Sequence, residues 1–246
     1  MSTCKICARL RRWLGVKTEF SCDALWQSHW DRCDAWERAN SNRDELWWSD
    51  SDRNRMLTEE AYVLRESDPE AAFRMLLEAA EAGSAWAMES LARHYHTGTV
   101  VAADFDQAVD YYHRAICAGS WMATIAYARL LAEHGDIDES EAVLEDGVRQ
   151  DFVPAYFWLA RLRYDRSPTR ATCREIRPLL DYAAKRGHPD AQQTLGRLMM
   201  KGKYGILAIP RGIRLLRETM VPLLSLPETA PADSPKMQGL KAATQE

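Results

Sequence analysis

The chain has 246 residues, 46% of them hydrophobic, and carries 32 Lys and Arg against 36 Asp and Glu for a net charge of −4. That balance gives no global attraction to nucleic acid, and no run of about 18 apolar residues is present to form a membrane helix. Lys5, Arg9, Arg11 and Arg12 have no apolar stretch behind them, so a secretory signal is not expected and a cytoplasmic location is.

Residues 1–67 hold six of the nine tryptophans. Such density sets the segment apart from a disordered tail. Cys22, Trp26, His29, Cys33 and Trp36 follow a 4-3-4-3 spacing, which places them on one helix face. This predicts helices over about 22–40 and 54–66 that cover the open end of whatever follows. The stretch "CARLRRWLGVK", with Lys5 just before it, is basic and free of acids. It reads as a solvated or partner-docking helix ahead of a phosphate or membrane contact.

Four of the six cysteines lie in the first 33 residues. Cys4 and Cys7 form a C-x2-C pair, and His29 with Cys33 an i,i+4 pair. Together they make a candidate site for one structural zinc, with Cys22 as an alternative ligand. The other reading has no cofactor: reduced cysteines, with Cys22 and Cys33 buried beside tryptophans. His94, His96, His134 and His188 fall at turns and suggest no metal cage.

From Asp68 the chain repeats itself. Gly83, Gly119, Asp151 and Gly187 recur at intervals of 36, 32 and 36. Ala87, Ala123, Ala155 and Ala191 keep those intervals, as do Leu91-Ala92, Tyr127-Ala128, Leu159-Ala160 and Leu195-Gly196. Upstream, Ala72, Ala108, Ser140 and Ile176 fall in register, and so do Ala79, Ala115, Gly147 and Ala183. The shorter interval comes from a turn cut down at "EHGDID". Apolar residues at helical spacing alternate with small ones, the pattern of paired helices whose backbones approach closely. Asp68-Pro69 reads as a helix start, and Gly83 and Gly119 as helix ends. One such pair cannot bury its apolar face alone, so the pairs must stack. From Ser225 the sequence turns to Pro, Ala and polar residues, and residues 225–246 are expected to be disordered.

The pattern A-x3-L-[AG]-x2-[YM]-x2-G, best seen in "AWAMESLARHYHTG" and "PDAQQTLGRLMMKG", resembles the Sel-one-like repeat, a family related to tetratricopeptide repeats. The resemblance covers about residues 68–220. It implies an all-α, right-handed α/α solenoid of about four helix-turn-helix repeats plus a terminal half repeat, with the Trp/Cys-rich helical segment as an N-terminal cap. The domains are then 1–67, 68–224 and 225–246.

The resemblance also implies a scaffold or adaptor with no catalytic residue. In line with that, the chain shows no G-x-S-x-G, P-loop or H-E-x-x-H pattern in a persuasive context, and no enzyme is expected. The partner is expected to be a protein, not a membrane and not nucleic acid. A solenoid exposes a concave face, which this reading lines with the first helix of each pair. Residues there that are free of packing duty form the candidate groove: Arg74, Leu77, Glu78, Asp110, His113, Arg114, Glu145, Asp181, Tyr182 and Lys185. Within that role a secretion adaptor, a toxin-immunity protein and a signalling regulator all remain open. The alternative is a zinc-stabilised regulatory or nucleic-acid-binding protein acting through its N-terminal segment. Cys117, on the same face, is read as an inert thiol with no partner cysteine or activating base.

Overall fold

The computed structural model describes residues 22–224. Among them are twelve α-helices, a short 3-10 turn and no strand. In chain order the helices are α1 (Cys22–Ala39), α2 (Arg43–Ser49), α3 (Asp52–Leu64), α4 (Pro69–Glu81), α5 (Ala85–Thr97) and α6 (Phe105–Cys117). They continue with α7 (Trp121–His134), α8 (Ile137–Arg149), α9 (Val153–Arg166), α10 (Arg170–Lys185), α11 (Pro189–Met200) and α12 (Ile209–Leu224). The basic stretch, Cys4, Cys7 and the tail from Ser225 lie outside the described residues.

Local chemistry fixes the helix ends. Asp68, Ser84, Asp104, Ser120 and Thr169 each accept the backbone N–H three residues on, which satisfies a donor the helix itself cannot. Pro69, Pro154 and Pro189 occupy first-turn positions, where no N–H is needed. Three of the marked turns carry glycine at positive φ: Gly83 and Gly119 at 95° and Gly187 at 93°. The third turn carries Asp151 at φ 58° instead. Aspartate tolerates the left-handed region better than most residues, and here its carboxylate also accepts the hydroxyls of Tyr156 and Tyr182.

The repeat register appears directly as burial. Ala79, Ala87, Ala108, Ala115, Ala123, Ala155, Ala183 and Ala191 are all 0% exposed. Ser140, in register with Ala108, is buried with its hydroxyl donating to the carbonyl of Ala128 at 2.6 Å. At Gly147 a Cβ would lie 2.7 Å from that of Ala155, so the third unit stays small where its neighbour presses closest. The core runs the length of the stack, from Ala61 and Phe73 through Leu144 and Phe152 to Leu195 and Met199.

The pairs are phased half a unit away from the sequence reading. The larger interfaces join α3 with α4, α5 with α6, α7 with α8, α9 with α10, and α11 with α12. The helices read as first members (α4, α6, α8, α10) are thus second members of their hairpins. The short Gly83-type turn draws the eye as the hairpin link, but the helices joined by the looser segments bury more against each other. The terminal half unit pairs with α11 as a complete hairpin. The helix expected to cap the array, α3, is the first member of the first hairpin. Nothing among the described residues covers its outer side, where Met56 is 69% and Val63 73% exposed.

Candidate functional site

The N-terminal helices lie elsewhere than over the open end. α1 and α2 form a strap that touches α12 and crosses the odd-numbered helices α11, α9, α7 and α5 in reverse order. Near its start, Arg32 donates to the carbonyl of Thr219 on α12 at 3.2 Å. Trp36 packs at a tilt against His188, with ring centroids 4.9 Å apart. Glu37 accepts the indole N–H of Trp158 on α9 at 2.9 Å. Asn42 then clamps the turn before α7: its amide donates to the Gly119 carbonyl at 2.6 Å and its oxygen accepts the Trp121 N–H at 3.2 Å. Finally the Arg43 guanidinium sits 3.5 Å over Trp86 of α5, and Trp47 packs edge-on against the same ring.

Beneath α1 lies a buried polar cluster. His29, Cys33 and Asp190 are 3%, 2% and 8% exposed, and His188 is fully buried. His29 Nε2 is 2.7 Å from Asp190 Oδ1 and 3.6 Å from Cys33 Sγ. Burial above all, with Asp190 beside it, pushes the Cys33 thiol far up. Burial also works to raise Asp190, but the hydrogen bond and charge of His29 outweigh it and hold the carboxyl below its usual range. The donor atoms of His29, Cys33 and Asp190 lie within 4.8 Å of one another, so these three residues have the geometry to share a metal ion.

Of the sequence candidates for zinc, the structure therefore joins His29 and Cys33. Cys4 and Cys7 lie outside the described residues, and Cys22 sits seven positions before His29 on α1, roughly 10 Å of helix rise away. Asp190 and Glu37 escaped the sequence reading, and His188 was read only as a turn residue. His188 and Asp190 flank Pro189 at a helix start and look local; their partners on α1 are 151 and 161 residues away.

The ten groove candidates lie on the even-numbered helices α4, α6, α8 and α10. Arg74, Glu78, Asp110, His113 and Lys185 are exposed, whereas Leu77, Arg114, Glu145, Asp181 and Tyr182 are half-buried. Leu77 packs on the first core cluster. Glu78 pairs with Arg53 of α3, Arg114 with Asp110 at 3.7 Å, and Glu145 with Arg163 at 2.6 Å. Tyr182 stacks on Tyr156 at 4.1 Å, and its hydrogen bond to Asp151 pushes its phenol up to about 12. Glu145 and Tyr182 thus tie α8 and α10 to α9, while Arg114 and Asp181 each have an i,i+4 partner on their own helix. Arg74, Asp110, His113 and Lys185 remain as outward-facing side chains. Cys117 does have a base beside it: His113 Nδ1 lies 3.8 Å from its Sγ.

The same row ends in a basic cavity of about 440 Å³, lined by Arg170, Arg174 and Arg177 of α10 and by Lys203 and Tyr204 of the loop after α11. The three arginines share one face by their i, i+4, i+7 spacing. The Tyr204 hydroxyl is buried there with no hydrogen-bond partner, and burial pushes its phenol far up.

Residues 60–84 and 87–120 match the Sel1 repeat model, the second match spanning the hairpin α5–α6. A Sel1 repeat protein from Oxalobacter formigenes superposes with a TM-score of 0.54 at 19% identity, over 66% of this chain and 71% of that one. The protective antigen c5321 of uropathogenic Escherichia coli, which displays an SLR fold, superposes with a TM-score of 0.55 at 18% identity. That match covers 67% of this chain but 38% of the antigen, so this chain spans well under half of it. No curated protein matches by sequence. Two stretches of the chain thus match the Sel1 repeat model, and the described array shares the fold of these two structures.

Proposed function

We propose that the protein is a non-enzymatic scaffold that holds a partner protein on the even-numbered helices. The observation that carries this reading is an asymmetry between two faces. The strap α1–α2 occupies the odd-numbered helices with its own tryptophans, arginines and amides. Helices α4, α6 and α10, by contrast, present Arg74, Asp110, His113 and Lys185 to solvent. Packing positions repeat from unit to unit while these outward positions differ, the arrangement expected where the stack sets geometry and the surface sets specificity.

The basic cavity gives that surface a directional feature. In a chain of net charge −4, three arginines and a lysine around a buried hydroxyl form a local positive well. An acidic side chain or a C-terminal carboxylate of the partner would enter it, pairing with guanidinium groups in the bidentate manner that arginine favours. This reading fits an adaptor for secretion, a neutraliser of a toxin or a regulator of signalling equally well, since all three hold one protein.

Affinity capture of the intact chain, followed by mass spectrometry, tests the reading. A variant carrying Arg74→Glu, His113→Ala and Lys185→Glu should lose the captured protein while keeping its unfolding midpoint. Capture of the same protein at the same level by this variant and by Arg170→Glu/Arg174→Glu would contradict it.

A further inference from the structure

We propose that His29, Cys33 and Asp190 form a zinc site that staples the N-terminal strap to the last hairpin. His29 and Cys33 stand one turn apart on α1 and point the same way, while Asp190 lies in the first turn of α11. The three donor atoms come from segments 161 residues apart and meet in a pocket where all three side chains are buried. Nitrogen, sulfur and carboxylate oxygen together are a donor set that zinc accepts, and three protein ligands are the number that leave a fourth position for a further donor.

The spacing fits the ion. With Zn–N near 2.0 Å and Zn–S near 2.3 Å, tetrahedral geometry sets nitrogen and sulfur about 3.5 Å apart; His29 Nε2 and Cys33 Sγ stand at 3.6 Å. The Asp190 oxygen lies at hydrogen-bond distance, 2.7 Å from the same nitrogen. It would have to withdraw by roughly half an ångström to share the ion, which a χ adjustment at a first-turn residue supplies. Glu37, one turn beyond Cys33, is engaged by Trp158 and faces His188, so it holds α1 in place without competing for the ion.

The consequence is a strap whose attachment depends on metal. His29 and Cys33 alone would decorate α1; Asp190 makes the ion a crosslink between the N-terminal segment and the repeat array.

The full chain, stripped with chelator and then titrated with zinc or cobalt(II), tests this. One equivalent should bind, with a thiolate-to-cobalt charge-transfer band. Cys33→Ser should abolish the band. Asp190→Asn, which keeps a hydrogen-bonding oxygen beside His29 and so guards the fold, should weaken zinc binding at least tenfold. Helical content by circular dichroism should stay the same in both variants. The double variant Cys4→Ser/Cys7→Ser should still give the cobalt band. Failure of the chain to take up an equivalent, or unchanged affinity in Asp190→Asn, would overturn the assignment.

Discussion

His188 and Glu37, 151 residues apart, face each other in the interior, with Nε2 3.3 Å from Oε1. The backbone N–H of Ala191 donates to His188 Nδ1 at 3.3 Å, so a neutral ring carries its proton on Nε2 and donates it to Glu37. One histidine thereby caps α11 with one nitrogen and anchors the strap with the other. Glu37→Ala leaves both this buried donor and the indole N–H of the half-buried Trp158 without a partner. The expected cost is about 2–4 kcal/mol, about 1–3 for the buried donor and about 1 for the half-buried one. Glu37→Gln keeps an oxygen for Trp158 and should cost about 1 kcal/mol. Urea unfolding of the two variants checks the order.

The last hairpin is held by two glycines. A Cβ at Gly212 would lie 2.7 Å from Met199 Cβ and 2.8 Å from the Gly196 carbonyl, and one at Gly196 would lie 2.8 Å from Leu216 Cγ. Neither obstacle is the end of a long flexible side chain. Gly212→Ala must therefore push α12 off α11, at about 1–3 kcal/mol, partly offset by the roughly 1 kcal/mol that alanine contributes within a helix. A lower thermal midpoint for Gly212→Ala checks this; a higher one would show that helix propensity outweighs the contact.

Acid should weaken the second hairpin through His94. Burial first, and the neighbouring Arg93 second, hold its imidazole below the usual histidine value, while its Nδ1 sits 3.0 Å from Thr99 Oγ1 and its ring meets Phe73. The folded pKa is depressed, so the unfolded chain takes up the proton first. The contribution is complete above the unfolded value of about 6.5 and declines as pH falls below it, until the folded value is reached. The urea midpoint of the protein should drop across that window by more than that of His94→Gln. Parallel pH profiles for the two would contradict this.

Asp151 is the test of the irregular third unit. It holds a left-handed φ of 58° and receives two tyrosine hydroxyls. Asp151→Ala loses those acceptor bonds and keeps the strained backbone, at about 1–2 kcal/mol for the conformation alone. Asp151→Gly relieves the strain and should fall between the wild type and the alanine variant in thermal midpoint.

Much of the fold was legible because it is periodic. Every alanine in register from Ala87 to Ala191 is buried without exposure, and the caps at Asp68 and Ser120 are local signals. The phase of the hairpins was less legible: short Gly turns look like hairpin links, yet interface size decides the pairing, and that is a tertiary quantity. Of the candidate metal residues, His29 and Cys33 were visible as an i,i+4 pair. Asp190 was not, because a first-turn aspartate reads as a helix-start residue and only the strap's path gives it a second role. The groove candidates all lie on even-numbered helices. Tyr182 and Glu145 nevertheless serve contacts between units, which spacing on one helix cannot distinguish from free surface.

The central structural claim is that the N-terminal helices run across the odd-numbered helices instead of covering the open end. Hydrogen–deuterium exchange on the full chain and on a chain beginning at Asp50 tests it most directly. Removal of the strap should raise exchange at the turns around Gly119 and Gly187 and in the first turns of α7 and α11. Faster exchange confined to α3 and α4, with those distant turns unchanged, would contradict the account.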